Sequence, residues 1–411
     1  MSTAAGSSRQ IVVGVTGGIA AFKAVETIRL LTESGYNVKV IATNSALQFV
    51  GEATMAALSG NEVHTDSWAE VHKVPHVSLA REASAIVVAP ATADFIARMT
   101  HGRADDLLTA TILTATCPVI LAPAMHTEMW ENSATQENVA ILRKRGVVVL
   151  EPAVGRLTGV DSGKGRLSEP SAIALAVNHA ISREGEFADL AGMHIVITAG
   201  GTREAIDPVR FISNRSSGKQ GFAIAAVAAV RGAKVTLINA NSTLPAPAGV
   251  DVVNVESAID LQRAVLQHIA KADALVMVAA VADFRPSEST DSKIKKSAGG
   301  LDKIELIDNP DILREVVDLK KPNFTIIGFA AETGDTKQSA LDYALVKLAK
   351  KGVDALVLNQ VGQGKGFESD DNAVTIVSPY FAAISVPTTS KEKIAETVCN
   401  VVKSLSLRIN K

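Results

Sequence analysis

One pattern occurs twice in this chain and dictates its architecture. From Ile11 the sequence IVVGVTGGIAAFKAVETIRLLTESGYNVKVIAT passes through an apolar run, a glycine turn, an amphipathic helical stretch, a glycine stop at Gly35 and a second apolar run. From His194 it restarts with HIVITAGG, a longer segment that turns helical near Gly221, and AKVTLINA (233–240). Short apolar runs separated by helices mark strands buried on both faces, as in a parallel sheet covered by helices. AIVVAP (85–90), PVILAP (118–123) and the weaker VVVLEP (147–152) extend the first half. ALVMVAAVADF (274–284), FTIIGFAAET (324–333) and DALVLNQ (354–360) extend the second, and the tail NAVTIVSPYFAAISVP adds strands to that sheet. The expected fold class is α/β, with two doubly wound Rossmann-like domains. The charged join REGEFADLAG (183–192) places the domains at 1–184 and 191–411, with 185–190 as linker.

Composition narrows the partners. A chain of 411 residues exceeds one ordinary core, and a net charge of -2 gives no polyelectrolyte reason to bind nucleic acid or an anionic membrane. Cys117 and Cys399 are far apart and suit neither a disulfide framework nor a zinc site. The opening MSTAAGSSRQ has no apolar signal core, and no run approaches the ~20 apolar residues of a membrane span. The expected location is cytoplasmic.

Ligands of doubly wound sheets sit at the carboxyl ends of the strands, where the winding reverses. Gly17 and Gly18 fall at a helix start, whose free amides attract a phosphate. The next strand ends Thr43-Asn44-Ser45, without the acid that a dinucleotide site sets against its ribose, so a mononucleotide is favoured. APATADF and APAMHTEMW are small, backbone-exposing loops suited to a flat ring.

In order, GVTGGIAA, PHVSLA, APATAD, PAMHTEMW and GVDSGKGRLSEP resemble the flavin-dependent cysteine decarboxylases, and above all the phosphopantothenoylcysteine decarboxylase half of bifunctional coenzyme A enzymes. The resemblance implies FMN held by Gly17, Gly18, Ile19, Ala20, Thr43, Ser45, Ala91 and Thr92, with His76 as the essential histidine. His64 and His72 read as ordinary histidines. The implied reaction is a redox-neutral decarboxylation: FMN oxidises the cysteine thiol to a thioaldehyde, which is the electron sink for loss of CO₂, and the flavin then returns the electrons. Two positions depart from the family. His126 replaces the Asn of its PxMNxxMW motif, and Gly159 replaces a lid Cys that serves as proton donor. Glycine transfers no proton, and an aspartate such as Asp161 would need strong upward tuning to hold one. Thr158 is a further candidate, whereas Cys117 begins its strand at the end opposite the ligand. Histidine titrates near neutrality, so His126 is expected to donate the proton or to hold the water that does.

The segment TAGGTREAIDPVRFISNRSSGKQG is far longer than a strand-to-helix connection requires. It resembles the signature of the phosphopantothenate–cysteine ligases. That resemblance implies activation of 4'-phosphopantothenate by CTP as an acyl-cytidylate, which the amine of L-cysteine then attacks, displacing CMP. Gly200, Gly201, Thr202, Ser216, Ser217 and Gly218 would hold phosphates, with Arg210 and Asn214 at the acyl group and Lys293 of KIKK at the phosphates. Met277, Val278, Ala279, Asp283, Pro310, Asp311, Ile312, Leu313 and Phe329 would line the cytidine pocket. Lys347 and Lys351, four apart on one helix face, would meet the triphosphate. Such charge calls for cations and a divalent metal, Mg2+ or Mn2+. The implied assembly is a homo-oligomer of flavin-domain trimers and ligase-domain dimers, closing as a dodecamer.

Two other readings stand beside this one. A nicotinamide-dependent oxidoreductase is opposed by the missing acids after both second strands. A ligase fused to a catalytically silent flavin-binding module is kept open by His126 and Gly159.

Overall fold

The computed structural model describes residues 9–66, 74–157, 161–182, 188–294, 303–332, 340–360 and 371–409. The chain divides into two compact units, Met1–Ala188 and Asp189–Lys411. His72, Thr158, Gly159, Lys295 and Lys296 lie outside the described residues.

In the first unit the strands are β1 (Gln10–Val15), β2 (Asn37–Ala42), β3 (Val63–His64), β4 (Ala83–Ala91), β5 (Val119–Pro123) and β6 (Val148–Val149). They form one parallel sheet in the order β3-β2-β1-β4-β5-β6. A separate hairpin pairs β7 (Ala153–Arg156) with β8 (Ser162–Arg166). The helices are α1 (Ala21–Glu33), α2 (Glu52–Ser59), α3 (Pro75–Glu82), α4 (Ala93–Thr100), α5 (Leu107–Leu113), α6 (Thr127–Glu131), α7 (Ser133–Lys144) and α8 (Pro170–Ser182). β1 is buried at every residue, as its unbroken apolar run requires. Gly35 follows α1 at φ +87°, the left-handed position that lets the chain turn directly into β2. The run at 147–152 contributes only the two-residue β6.

The second unit has an eight-stranded sheet built from β9 (His194–Gly200), β12 (Lys234–Ala240), β13 (Val250–Val255), β14 (Ala274–Met277), β17 (Thr325–Glu332), β18 (Ala355–Gln360), β19 (Asp371–Ser378) and β20 (Phe381–Ser390). The order is β13-β12-β9-β14-β17-β18-β19-β20, parallel up to β18, after which β19 and β20 return antiparallel. Two short ribbons stand apart, β10 (Arg203–Ala205) with β11 (Phe211–Ser213), and β15 (Phe284–Pro286) with β16 (Leu306–Asp308). The helices are α9 (Lys219–Val230), α10 (Ala258–Ile269), α11 (Ile312–Asp318), α12 (Ala340–Lys351) and α13 (Lys391–Ile409). The apolar run 274–284 is not one strand: the ladder stops at Met277 and the chain leaves the sheet.

Arg231, at the end of α9, is fully buried. Its guanidinium donates to both carboxylate oxygens of Asp189 (2.8 and 2.7 Å) and to Asn400 Oδ1 (2.9 Å) in α13. Removing one partner of such a buried pair typically costs about 3–5 kcal/mol, so this contact fixes where the second unit begins.

Candidate active sites

In the first unit, residues 16–20 connect β1 to α1. A Cβ built on Gly17 would lie 2.3 Å from Ser45 Cβ, so only glycine lets this turn rest against the end of β2. On the other side, Thr16 Oγ1 donates to Pro90 O (2.7 Å) and accepts from Thr92 N (3.3 Å). Thr92 in turn caps α4 by accepting from Phe95 N (3.3 Å). The ends of β2, β1 and β4 are thereby drawn together at the point where strand order reverses. Gly17, Gly18, Thr43, Ser45, Ala91 and Thr92 all belong to this cluster. No side chain caps α1, but Ala21 N and Lys23 N already donate to Gly18 O (2.9 Å) and Ala20 O (3.0 Å), so only some of its first amides are left for an anion. Ile19 and Phe22 beside it are about 60% exposed (59% and 61%).

His126 lies one strand further along. Ala124 N donates to Ala91 O (3.2 Å), and His126 is the N-cap of α6, with an exposed side chain that does not cap it. The β7–β8 hairpin rests on this turn. Met125 N donates to Gly165 O (2.9 Å), and a Cβ on Gly165 would sit 2.2 Å from Met125 O. A Cβ on Gly163 would sit 2.2 Å from Thr127 Oγ1. Gly163 and Gly165 therefore permit close docking of the hairpin beside His126.

His76 is in α3, and its carbonyl accepts from Thr114 Oγ1 (3.2 Å) at the end of α5. Among the described residues, neither the His76 nor the His126 imidazole makes a hydrogen bond or ion pair, and no such contact joins them. Burial pushes the Cys117 thiol up to about 11.

The second unit holds a cavity of about 710 Å³. Its walls come from residues 214–221 before and within α9, 277–283 after β14, 309–313 at the start of α11, Phe329 of β17, and Lys347 and Lys351 of α12. Cross-bonds hold these walls in place. Thr198 Oγ1 accepts from Val278 N (3.1 Å) and Ala279 N (3.0 Å), and Thr202 Oγ1 accepts from Ala282 N (3.0 Å). These bonds pull the chain out of the β14 ladder, which is why the strand ends early. Asn214 Nδ2 donates to Val281 O (2.9 Å), tying the long loop to the same wall. Asn309 closes the far side, giving Nδ2 to Ala282 O (2.8 Å) and its amide to Asp283 O (2.8 Å). Lys351 pairs with Asp311, whose carboxyl stays below its usual range because that lysine and the Arg314 amide outweigh the cost of burial.

The cavity brings together Gly200, Asn214, Ser216, Ser217, Gly218, Met277, Val278, Ala279, Asp283, Pro310, Asp311, Ile312, Leu313, Phe329, Lys347 and Lys351. Gly201, Thr202, Arg210 and Lys293 are not on its wall. Thr202 is fully buried and its hydroxyl is committed to Ala282. Arg210 is committed to the buried Asp207, by Nε at 3.0 Å and by Nη2, and to Ile294 O (3.1 Å). Sequence reasoning missed Thr198, Arg215, Lys219, Gln220, Asn359, Asn372 and Lys391. Thr198 carried a signal, a lone hydroxyl in an otherwise apolar strand. Asn359, Asn372 and Lys391 stand at element ends and carry none.

Comparison with known proteins follows this division. The family described as DNA/pantothenate metabolism flavoprotein C-terminal domain matches residues 190–405, and the family described as flavoprotein matches residues 2–182. The Coenzyme A biosynthesis bifunctional protein CoaBC of Mycobacterium tuberculosis is 57% identical over 371 residues, 89% of either chain. That of Bacillus subtilis is 42% identical over 405 residues, 97% of this chain and 98% of its own. Among solved structures, the C-terminal domain of a Coenzyme A biosynthesis bifunctional protein CoaBC aligns at 37% identity with a TM-score of 0.45, covering 53% of this chain and 97% of that one.

Proposed function

The chain belongs to the family of bifunctional coenzyme A biosynthesis proteins, and from that membership we propose a division of labour between its halves. The second unit, 191–411, joins 4'-phosphopantothenate to L-cysteine with CTP; the first, 1–184, decarboxylates the product to 4'-phosphopantetheine. The observation that carries the reading is the second-unit cavity, with amides and hydroxyls of 214–218 at a helix start on one side and Lys347 and Lys351 on the other. A triphosphate needs both. α9 presents its N-terminal amides to phosphate oxygens, the lysines offset the charge, and Asn214 orients the acyl group for attack by the amine. A divalent cation would arrive with the phosphates, with Asp283 as the wall carboxylate within reach of it. Among the described residues no three His, Cys, Asp or Glu side chains cluster as a separate metal site. Arg210 and Lys293 enter this reading as groups beside the cavity that meet the substrate, not as part of its wall.

The residues of the first unit fit FMN. The uncapped amides of α1, with Gly17 and Gly18, suit a monophosphate; Thr43, Ser45, Ala91 and Thr92 surround it with hydroxyls and open backbone. When bound, FMN would supply the two-electron oxidation of the substrate thiol that makes loss of CO₂ possible, and would return those electrons afterwards. His76 acts on the substrate, and His126, exposed beside the β7–β8 hairpin, holds or relays the final proton. Exposed Ile19 and Phe22 support an assembly in which flavin and a neighbouring subunit cover them, in keeping with trimers of this half, dimers of the other and a closed dodecamer. The silent-module reading gains nothing from relatives that are named bifunctional.

The test uses full-length protein. It should absorb near about 450 nm from bound flavin. With CTP, 4'-phosphopantothenate and cysteine it should release pyrophosphate, CMP and CO₂ in equal amounts. Pyrophosphate without CO₂ would restore the silent-module reading; neither product would end the proposal.

A further inference from the structure

Resting on the ligase reading, we infer that Thr198 is a positioning residue for nucleobase selection, acting by removing hydrogen-bond donors from the wall that meets the base. Val278 and Ala279 line the cavity, and each carries one N–H and one C=O. Thr198 Oγ1 takes both N–H groups, at 3.1 and 3.0 Å. Thr198 is fully buried within β9, so its hydroxyl has no solvent to turn to. Among the described residues, no hydrogen bond reaches the carbonyl oxygen of Val278 or of Ala279. At these two residues the wall therefore offers acceptors only.

Two neighbouring amides are spent as well, Ala280 N on Gly200 O (2.9 Å) and Ala282 N on Thr202 Oγ1 (3.0 Å), so the acceptor-only edge is that of Val278 and Ala279. An acceptor-only edge suits a base with an exocyclic amino group. The N4 of cytosine donates to such carbonyls, whereas the O4 of uracil meets them as another acceptor. Neither acceptor finds a partner there, and unpaired polar groups are what make hydrogen-bonding sites discriminate. Selection for CTP over UTP thus originates in a residue that touches neither nucleotide.

The experiment is titration calorimetry of the full-length protein with Mg2+ and either CTP or UTP. The unsubstituted protein should bind CTP about 100-fold or more tightly than UTP. N4,N4-dimethyl-CTP, which keeps the cytosine ring but has no N–H on N4, should bind no better than UTP. Thr198→Val keeps the shape and releases both amides, so the CTP:UTP ratio should fall about tenfold or more. Thr198→Ser should restore the ratio. Thr202→Val, which frees only Ala282 N, should weaken both nucleotides alike. Equal binding of CTP and UTP, or tight binding of the dimethyl analogue, would overturn the inference while leaving the ligase reading intact. An unchanged ratio in folded Thr198→Val would do the same. Binding of neither nucleotide would overturn both.

Discussion

The two halves start from the same strand, turn and helix, yet the first crosses through residues 16–20 and the second through 201–218. The short turn stays flush with its neighbours, Gly17 against Ser45 and Thr16 against Pro90, and leads into a helix that no side chain caps. The long loop folds into its own ribbon, β10 with β11, and Asn214 then reaches across to Val281. One connection leaves apolar side chains exposed beside a helix start. The other builds a cavity wall unaided. The length of a βα connection here decides whether it adds a wall to the cavity of its unit or only joins strand to helix.

The largest effects should separate the halves completely. His76 makes no side-chain bond that a substitution would break, and His76→Asn should keep flavin colour and fold while CO₂ release drops ~10²–10⁴-fold. Ligation should continue at its normal rate. Loss of flavin together with activity would show that His76 supports the seat instead of the chemistry.

Asn214→Asp is the counterpart in the second half, with a slightly smaller effect because it removes positioning, not proton transfer. The aspartate cannot donate to Val281 O, and its charge faces an activated carboxylate and phosphate. Pyrophosphate release should fall about 10²–10³-fold, while decarboxylation of supplied phosphopantothenoylcysteine persists. A variant that ligates normally would take Asn214 out of the site and leave the loop as a wall alone.

How much of this could be read from sequence follows the same contrast. The strands were legible because a sheet buried on both faces writes itself as apolar runs, and β1, β4, β5, β9 and β12 lie close to where those runs predict. The run 274–284 misled because Ala279 to Ala282 remain apolar after the ladder ends; the stop is imposed by Thr198 and Thr202, which come from another strand. His76 falls on α3, which Pro75 opens at its first position. The cavity lining from 214 to 351 was legible through resemblance. Gln220, Asn359, Asn372 and Lys391 were not, because residues at the ends of α9, β18, β19 and α13 meet only in the folded unit.

A steric test sharpens the comparison at the short turn. Gly17→Ala drives a methyl into Ser45 and should destabilise the first unit by about 1–3 kcal/mol, with flavin lost first. Gly18→Ala meets only Thr92 Cγ2, at 3.8 Å, an ordinary contact, and should be tolerated. Thermal unfolding of both variants, with and without added FMN, gives the ranking. If the two behave alike, the close seat of Gly17 on Ser45 is not what holds the turn.

The smallest expected effect is one of pH. Asp207 is buried at the tip of the long loop, and the Arg210 guanidinium above all, with the amides of Val209, Arg210 and Ile294, holds its carboxyl far below the usual range. A carboxylate depressed on folding stabilises the fold above its unfolded value of about 3.9, and that stabilisation is lost as pH falls through the lower folded value. The loop should therefore stay closed from neutral pH down through about pH 4 and open only in stronger acid. The turn 16–20 is Thr-Gly-Gly-Ile-Ala and contains nothing that titrates there. Acid should thus loosen one connection and spare the other. Carboxyl and amide NMR signals of Asp207, Val209 and Arg210, followed from pH 7 to pH 2 beside those of Gly17 and Gly18, read this directly. Arg210→Met removes the main cause of the depression, so opening should move to higher pH, towards the ordinary aspartate value. A midpoint near 4 in the unsubstituted protein, unmoved by that substitution, would mean that Arg210 does not anchor the loop.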